Sequence, residues 1–243
     1  MMKRTGDSIL LVLGIIATWQ VLYWLAGDVA LTSPTTTAAH LWKLLGTARF
    51  WEHAAETARA FGLAVLISLL GGVALGVMLG LNRTAGIVSE PILIALYSLP
   101  KVTLYPLVLL CFGLGVSAKV AFGAMHGLIP VTIFTMKAIM QIKPVLWRTA
   151  HALRLTPRQT AFTIALPAVL PEVISGARLG FSLTLLGVLI GEMFASQRGL
   201  GFMIMSAMGL GDNATIMAVA LFLSVFAIGA NAVLLRLNRV VPG

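Results

Sequence analysis

WRTAHALRLTPRQTAFTIALPAVLP, residues 147–171, carries charge where its neighbours are apolar, and its reading decides how the chain is arranged. Arg148, His151, Arg154 and Arg158 fall within it, no acid occurs before Glu172, and apolar runs flank it on both sides. Pro144 suits the first turn of one helix, because an N–H at that position would have no partner anyway. Thr156, Pro157 and Gln159 supply the start of a second: a hydroxyl N-cap, proline at the first helical position, and a glutamine placed to close a capping box. Pro167 removes a helical N–H and predicts a stop, and Pro171 stands where a new helix can begin. The expectation is a short helix of roughly ten residues on a basic loop between two membrane spans.

The flanks support that setting. A soluble domain carries about 25% charged residues. This chain of 243 residues carries 10%, with 59% hydrophobic, which is the composition of a membrane protein. Its net charge of +9 comes from 17 basic and 8 acidic residues. Nucleic-acid binding would need those cations gathered on a solvated face with exposed aromatics. Here they punctuate the ends of apolar runs instead, so no nucleic-acid partner is expected. Cys111, the one cysteine, lies within an apolar run and leaves neither a disulfide framework nor a metal cluster.

Six spans are predicted. Ser8–Ala26 follows Lys3 and Arg4, is about as long as a full crossing, and contains Trp19 and Trp24, so it reads as a retained helix. Residues 28–59 form a polar stretch in which Ser33-Pro34 starts an amphipathic helix on the outer surface. His40, Glu52, His53 and Glu56 lie there without a tight metal-ligand pattern. Phe61–Leu81 is the second span. Its Ser68, Gly72, Gly76 and Gly80 make one helix face nearly bare backbone, suited to packing within one bundle or between two copies. Gly86–Gly115 is broken at Pro91, at Leu99-Pro100-Lys101 and at Pro106. Broken backbone at membrane depth survives only against protein or a water-filled cavity, so Pro100, Lys101 and Pro106 are candidates for lining a pathway, together with Glu192.

A cation at the depth of Lys101 costs roughly 2.5 kcal/mol or more in lipid, so it needs a partner or water. An acid such as Glu192 or Glu90, or carbonyls freed by the proline breaks, would serve; a cavity taking an anionic solute is the other reading. The fourth span runs from Lys119 to about Met140 with Gly123, Gly127 and Pro130 inside it. The fifth runs from Glu172 to Phe194 with the pairs Gly176/Gly180 and Gly187/Gly191, and the sixth from Asp212 to Asn238. His126 in the fourth span reads as packed between helices rather than as a proton relay.

With both termini inside, ten cations are cytoplasmic: Lys3, Arg4, Arg83, Lys137, Lys143, Arg148, Arg154, Arg158, Arg236 and Arg239. Five lie outside: Lys43, Arg49, Arg59, Lys119 and Arg198. That bias puts residues 147–171 in the cytoplasm.

The spacing of this loop resembles the signature of ABC importer permeases: acid-Ala-Ala, three residues, Gly, nine residues, an aliphatic, any residue, then Leu-Pro. Ala150, Ile164, Leu166 and Pro167 fall in register, while Arg148 replaces the acid, Thr149 the first Ala, and Arg154 the Gly. Ser98-Leu99-Pro100-Lys101, Pro106-Leu107 and Phe112–Gly115 are similar to the nitrate/sulfonate/taurine branch, as are Glu192 and Gly199-Leu200-Gly201. The resemblance covers roughly residues 57–235. It implies an all-α, type I permease of about six spans, with a coupling helix between spans four and five. Residues 1–56 would be an N-terminal addition and 57–243 the transmembrane core. It further implies that the loop of Arg148, Thr149, Ala150, Arg154, Leu155, Thr156, Pro157, Ile164, Leu166 and Pro167 couples to an ATPase subunit. The remaining partners would be a solute-binding protein, a second copy of the chain and the lipid bilayer of the inner membrane, with ATP bound by the ATPase and no cofactor here.

The nearest thing to a phosphate-binding loop, Gly113 to Lys119, lacks the second Gly before the Lys and is followed by Val120, so the chain is not expected to be the ATPase or any enzyme. An ion-coupled secondary transporter is the alternative. It would show paired broken helices in an internal repeat, of which only one is visible.

Overall fold

The computed structural model describes residues 2–27 and 30–240. Ser33 opens helix α2, Pro34–Leu45, its hydroxyl accepting from the Thr36 N–H as the Ser-Pro pair predicts. Thr47 caps α3, Ala48–Leu81, in the same way. Its 34 residues at about 1.5 Å each make about 51 Å, well beyond the about 30 Å of a bilayer's hydrocarbon core. The early turns, carrying Glu52, His53, Glu56 and Arg59, can therefore project past the lipid. The amphipathic stretch expected at 28–59 is thus two elements, with its second half continuous with the span.

Asn82 both ends α3 and starts α4, Arg83–Ser98. Its backbone is extended, and its side-chain oxygen accepts from the N–H groups of Thr84 and Ala85. Leu99 and Pro100 break the helix. A 3₁₀ turn, Lys101–Leu104, leads into α5, Tyr105–Phe112, at 85° to α4. The chain then enters α6, Val116–Met140, through Gly113 and Gly115, whose φ angles of +72° and +133° favour glycine. After α6 come α7 (Pro144–Ala152) and α8 (Pro157–Thr160), then α9 (Leu166–Ala195), α10 (Leu200–Leu210) and α11 (Asn213–Val240). The first helix, α1, runs Met2–Ala26 and is tied to the entry of α2 by a 3.0 Å bond from Trp19 Nε1 to the Thr32 carbonyl.

Among the described residues, four helical stretches are long and apolar enough to cross a membrane: Ala48–Leu81, Val116–Met140, Pro157–Phe194 and Asn213–Leu235. The bent pair α4–α5 makes a fifth, and α1 contributes the apolar stretch Leu10–Ala26.

Two boundaries differ from the sequence reading. Pro167 does not stop a helix and Pro171 does not start one, since both lie inside α9. Between α8 and α9, residues Ala161–Ala165 take the wider π form, with the Leu166 N–H bonded to the Ala161 carbonyl. A π turn gives the Pro167 ring room at the place where an α turn would set it against a carbonyl, so the helix carries on. The short helix expected on the loop is therefore the first turn of a 38-residue stretch, Pro157–Phe194.

α6 is the centre of the bundle, with α3 parallel on one side and α9 antiparallel on the other. Gly72, Gly76 and Gly80 of α3 face Val131, Thr135 and Ile139 of α6 at the same four-residue step. The glycine face thus packs within the chain. On the other side, Gly180 faces Val131 and Gly176 faces Phe134, while Gly187 lies against Gly123 and the His126 ring. His126 is wedged there with Nδ1 2.8 Å from the Phe122 carbonyl, a packed histidine as expected.

A Cβ at Gly76 would stand 2.5 Å from the Thr135 Cβ and 2.8 Å from the Thr132 carbonyl. Gly76→Leu should therefore cost at least the 1–3 kcal/mol typical of overpacking, read as a lower thermal midpoint and folded yield in detergent. Gly62→Leu, at a position with nothing within 4 Å, is the control and should behave as wild type. Equal behaviour of the two variants would show that α3 and α6 do not approach this closely.

Candidate functional site

The loop between α6 and α9 is built as two capped helices around one corner. α7 ends with the Arg154 N–H bonded to the His151 carbonyl and the Leu155 N–H to the Ala150 carbonyl, both at 3.0 Å. This is a Schellman arrangement, in which the residue after the C-cap is left-handed. Here that residue is Arg154, with φ +50°, among the described residues the one non-glycine with positive φ. An L-residue with a Cβ gives up roughly 1–2 kcal/mol in that conformation. The position where the permease signature has Gly thus keeps the glycine-like backbone although an arginine occupies it. Two residues on, Thr156 Oγ1 accepts from the Gln159 N–H and Gln159 Oε1 accepts from the Thr156 N–H, the reciprocal box that the sequence predicts.

Ala150 is buried at 3% exposure, whereas Arg148, Thr149, Arg154, Pro157 and Arg158 are exposed and Leu155 is half-buried. The Ala150 side chain and carbonyl therefore hold the corner together from inside, and the arginines point away from it. Ile164 is half-buried, and Leu166 and Pro167 are exposed on the π and α9 turns that follow.

At the opposite end of the bundle lies a buried polar network. Glu192 of α9 is fully buried, and both its oxygens accept from Thr57 Oγ1 of α3, at 3.0 and 2.9 Å. Glu192 Oε2 also accepts from the Gly201 N–H at 3.0 Å, and Thr57 Oγ1 accepts from the Leu200 N–H at 2.8 Å. The carboxylate thereby satisfies two otherwise unpaired N–H groups at the start of α10, one of them through Thr57. His53 Nδ1 accepts from the Gly199 N–H at 3.1 Å. Lys119 of α6, 2% exposed, donates to Glu56 at 3.1 Å and to the Arg198 carbonyl at 3.0 Å, with Glu192 4.0 Å away. A cavity of about 590 Å³, lined in part by Glu56, Gly115, Lys119, Ser196 and Arg198, opens beside this group. Tyr105 of α5 closes the set with a 2.7 Å bond to the Gly191 carbonyl.

Lys101 is 9% exposed, and its Nζ donates to the Tyr97 carbonyl at 2.9 Å while lying 5.1 Å from the centre of the Tyr97 ring. Its partner is thus a carbonyl at the proline break. The acids considered for it are engaged elsewhere: Glu192 with Lys119, and Glu90 with Lys137 at 2.7 Å. Pro100 and Pro106 lie exposed on the same broken segment. No group of His, Cys, Asp and Glu among the described residues is arranged to hold a metal ion.

Sequence reasoning placed Glu192 at the end of its span but missed Thr57, His53 and Lys119, since their pairing is between helices far apart in sequence. It also missed Arg178 in α9, whose Nε and Nη2 both lie 3.2 Å from Asn231 Oδ1 of α11. The signal was available, because Lys101 and Arg178 are the two basic residues left after the ten inside and five outside.

Removing one member of a buried pair costs about 3–5 kcal/mol because the other charge is stranded. Lys119→Met should therefore destabilise the protein strongly, and adding Glu192→Gln should recover part of the loss. Thermal unfolding of both single variants and the double variant measures this coupling. Purely additive changes would mean that Lys119 does not compensate Glu192.

Residues 68–242 match the family described as binding-protein-dependent transport system inner membrane component. The taurine transport system permease protein TauC of Escherichia coli (strain K12) is 29% identical over 160 residues, 66% of this chain and 58% of that protein, less than two thirds of its length. The putative aliphatic sulfonates transport permease protein SsuC of Bacillus subtilis (strain 168) is 29% identical, over 84% of this chain and 76% of its own. The riboflavin transport system permease protein RibX of Chloroflexus aurantiacus is 31% identical, over 80% and 74% respectively. Among solved structures, an inward-facing form of the MetNI methionine ABC transporter superposes with a TM-score of 0.58 at 22% identity, over 82% of this chain and 97% of that one. That likeness carries the fold, an all-helical arrangement of the type I importer permease kind. With the family match covering most of its length, the chain belongs to the inner-membrane permease components of binding-protein-dependent ABC transport systems.

Proposed function

We propose that two copies of this chain form the solute pathway of an ATP-driven importer. Residues 144–171 of each copy meet an ATPase subunit in the cytoplasm, and a solute-binding protein delivers cargo at the opposite face. The observation that carries this reading is the capped corner at Arg154. Its backbone is left-handed at the position where the permease signature has Gly, although an arginine stands there. Both termini lie in the cytoplasm in this reading, which the ten-to-five bias of cations supports. Residues 57–243 make up the transport core and residues 1–56 are an addition to it.

The chain itself carries out no covalent chemistry, and ATP is bound by the partner subunit. The mechanical logic follows from the continuous helix Pro157–Phe194. Movement of the ATPase pair displaces the corner held by Ala150 and Thr156. Because α8 joins α9 without a break, that displacement reaches Glu192 and the start of α10 at the far end. The cavity can then open alternately to either side.

The solute proposed is a small anion of the sulfonate or nitrate class. Two relatives are named for taurine and aliphatic sulfonates. Lys101 supplies a cation on the broken segment. Its bond to the Tyr97 carbonyl uses one of three ammonium donors, leaving two for a passing anion.

Leu155→Asp changes a side chain at the corner while leaving intact the backbone bond that Leu155 makes to Ala150. It should release the ATPase subunit and abolish uptake with normal amounts of protein in the membrane. Full co-purification of an ATPase whose activity stays coupled would refute the docking role.

Lys101→Gln separates two roles for that cation. A pathway role predicts a normal complex whose ATPase still responds to the loaded binding protein, with anion uptake lowered about tenfold or more. Loss of folded or assembled protein would assign Lys101 to holding the break.

A further inference from the structure

We infer that the face presented by residues 144–158 fits an acidic cleft on the ATPase subunit, with Arg154 as its electrostatic anchor and Arg148 and Arg158 beside it. This rests on the docking role proposed above.

Three observations carry it. The first is charge. No acid occurs from Pro144 to Pro171, and the exposed arginines make no ion pair among the described residues. The ion pairs among the described residues are those of Lys119 with Glu56 and Glu192, and of Lys137 with Glu90. The second is strain. Arg154 sits at φ +50°, where glycine would relax the corner, and the Schellman bonds and the capping box hold it there from both sides. Residues kept in costly backbone conformations gather where the side chain has a task. The third is the neighbouring surface. Val145 and Leu153 are 59% and 65% exposed, so the arginines stand on a patch with its own apolar contact area. Apolar contact flanked by charge is the make-up of a protein interface.

Anionic lipid headgroups are the competing counter-charge. A headgroup layer is fluid and takes an arginine from any position on the turn, so it gives no reason to keep one at a left-handed position. A protein cleft fixes its acids in place, and for it the position matters. Acids in the cleft therefore stand opposite Arg154 and Arg148.

The experiment uses the full chain in nanodiscs and the ATPase subunit that co-purifies with it. Dissociation constants are measured across a salt series, in discs of phosphatidylcholine alone and in discs containing phosphatidylglycerol. Arg154→Gly should keep or raise the thermal midpoint, because the backbone relaxes. It should still weaken ATPase binding about tenfold near 0.1 M salt, with a flatter salt dependence, in both kinds of disc. Arg154→Glu should weaken binding further. ATPase affinity unchanged in Arg154→Gly while Leu155→Asp still releases the subunit would overturn the charge assignment and leave the docking role standing. Binding unchanged in Leu155→Asp as well would remove the docking role itself. A defect confined to phosphatidylglycerol discs would assign the arginines to lipid and overturn the proposal.

Discussion

The close approach of three helix backbones at α6 is the constraint on which the rest of this structure depends. In lipid there is little hydrophobic drive for one helix to leave the bilayer and join another, so association comes from packing and polar bonds. Gly72, Gly76 and Gly80 on one side and Gly176, Gly180 and Gly187 on the other let α3 and α9 lie against α6 at backbone distance. That geometry makes α6 the buried element and leaves the broken α4–α5 segment packed on it from one face. It also brings together Thr57, Lys119 and Glu192, one from each of the three helices. Without the glycine contacts, neither the network nor the bend would have a scaffold.

The buried network is the polar complement of that packing. A carboxylate with no exposure is costly unless its oxygens are fully used, and those of Glu192 accept from a hydroxyl and a helix N–H with a cation nearby. Those partners come from α3, α6 and the start of α10, so the network also fixes where α10 begins. A Cβ at Gly199 or Gly201 would collide with the Glu192 side chain, which explains the glycines of the Gly-Leu-Gly turn in terms of close approach.

The sequence was most legible where the signal is local. Thr156, Pro157 and Gln159 read as a capping box and form one. The glycine periodicity of α3 identified a packing face, although not which helix it meets, because the partners Val131, Thr135 and Ile139 carry no mark of that contact. Pro100 and Pro106 marked the break, though its 85° angle depends on how α4 and α5 fold over α6. Pro167 misled for a local reason as well: proline ends an α-helix, but the π turn before it was invisible in the residue pattern. Lys119 read as a cation at the end of a span. Its burial depends on Glu56 and Arg198, 63 and 79 residues away, and such distances are set by the fold.

The π turn also ties the loop to the far end of the bundle, because it lets α8 run on into α9. If Pro167 had ended a helix, the corner at Arg154 and the carboxylate at Glu192 would sit on separate elements with a hinge between them. With the π turn, Glu192 sits on one rod of 38 residues, about 57 Å long, that begins at Pro157, three residues after the corner at Arg154. In the coupling proposed above, a continuous rod of that length is the element that would carry a displacement from the loop toward the far end of the bundle. Along the rod the hydrogen-bond ladder is irregular at the π turn and again at Pro171, which has no N–H to donate. Both irregularities, Ala161–Ala165 and Pro171, fall between the capped corner and Gly176, on the loop side of the part that packs on α6. The part of α9 that packs on α6, from Gly176 to Gly191, lies beyond both. The stop expected from Pro167 and the continuity observed thus differ by more than a boundary, for only the continuous rod links the exposed arginines to the buried network.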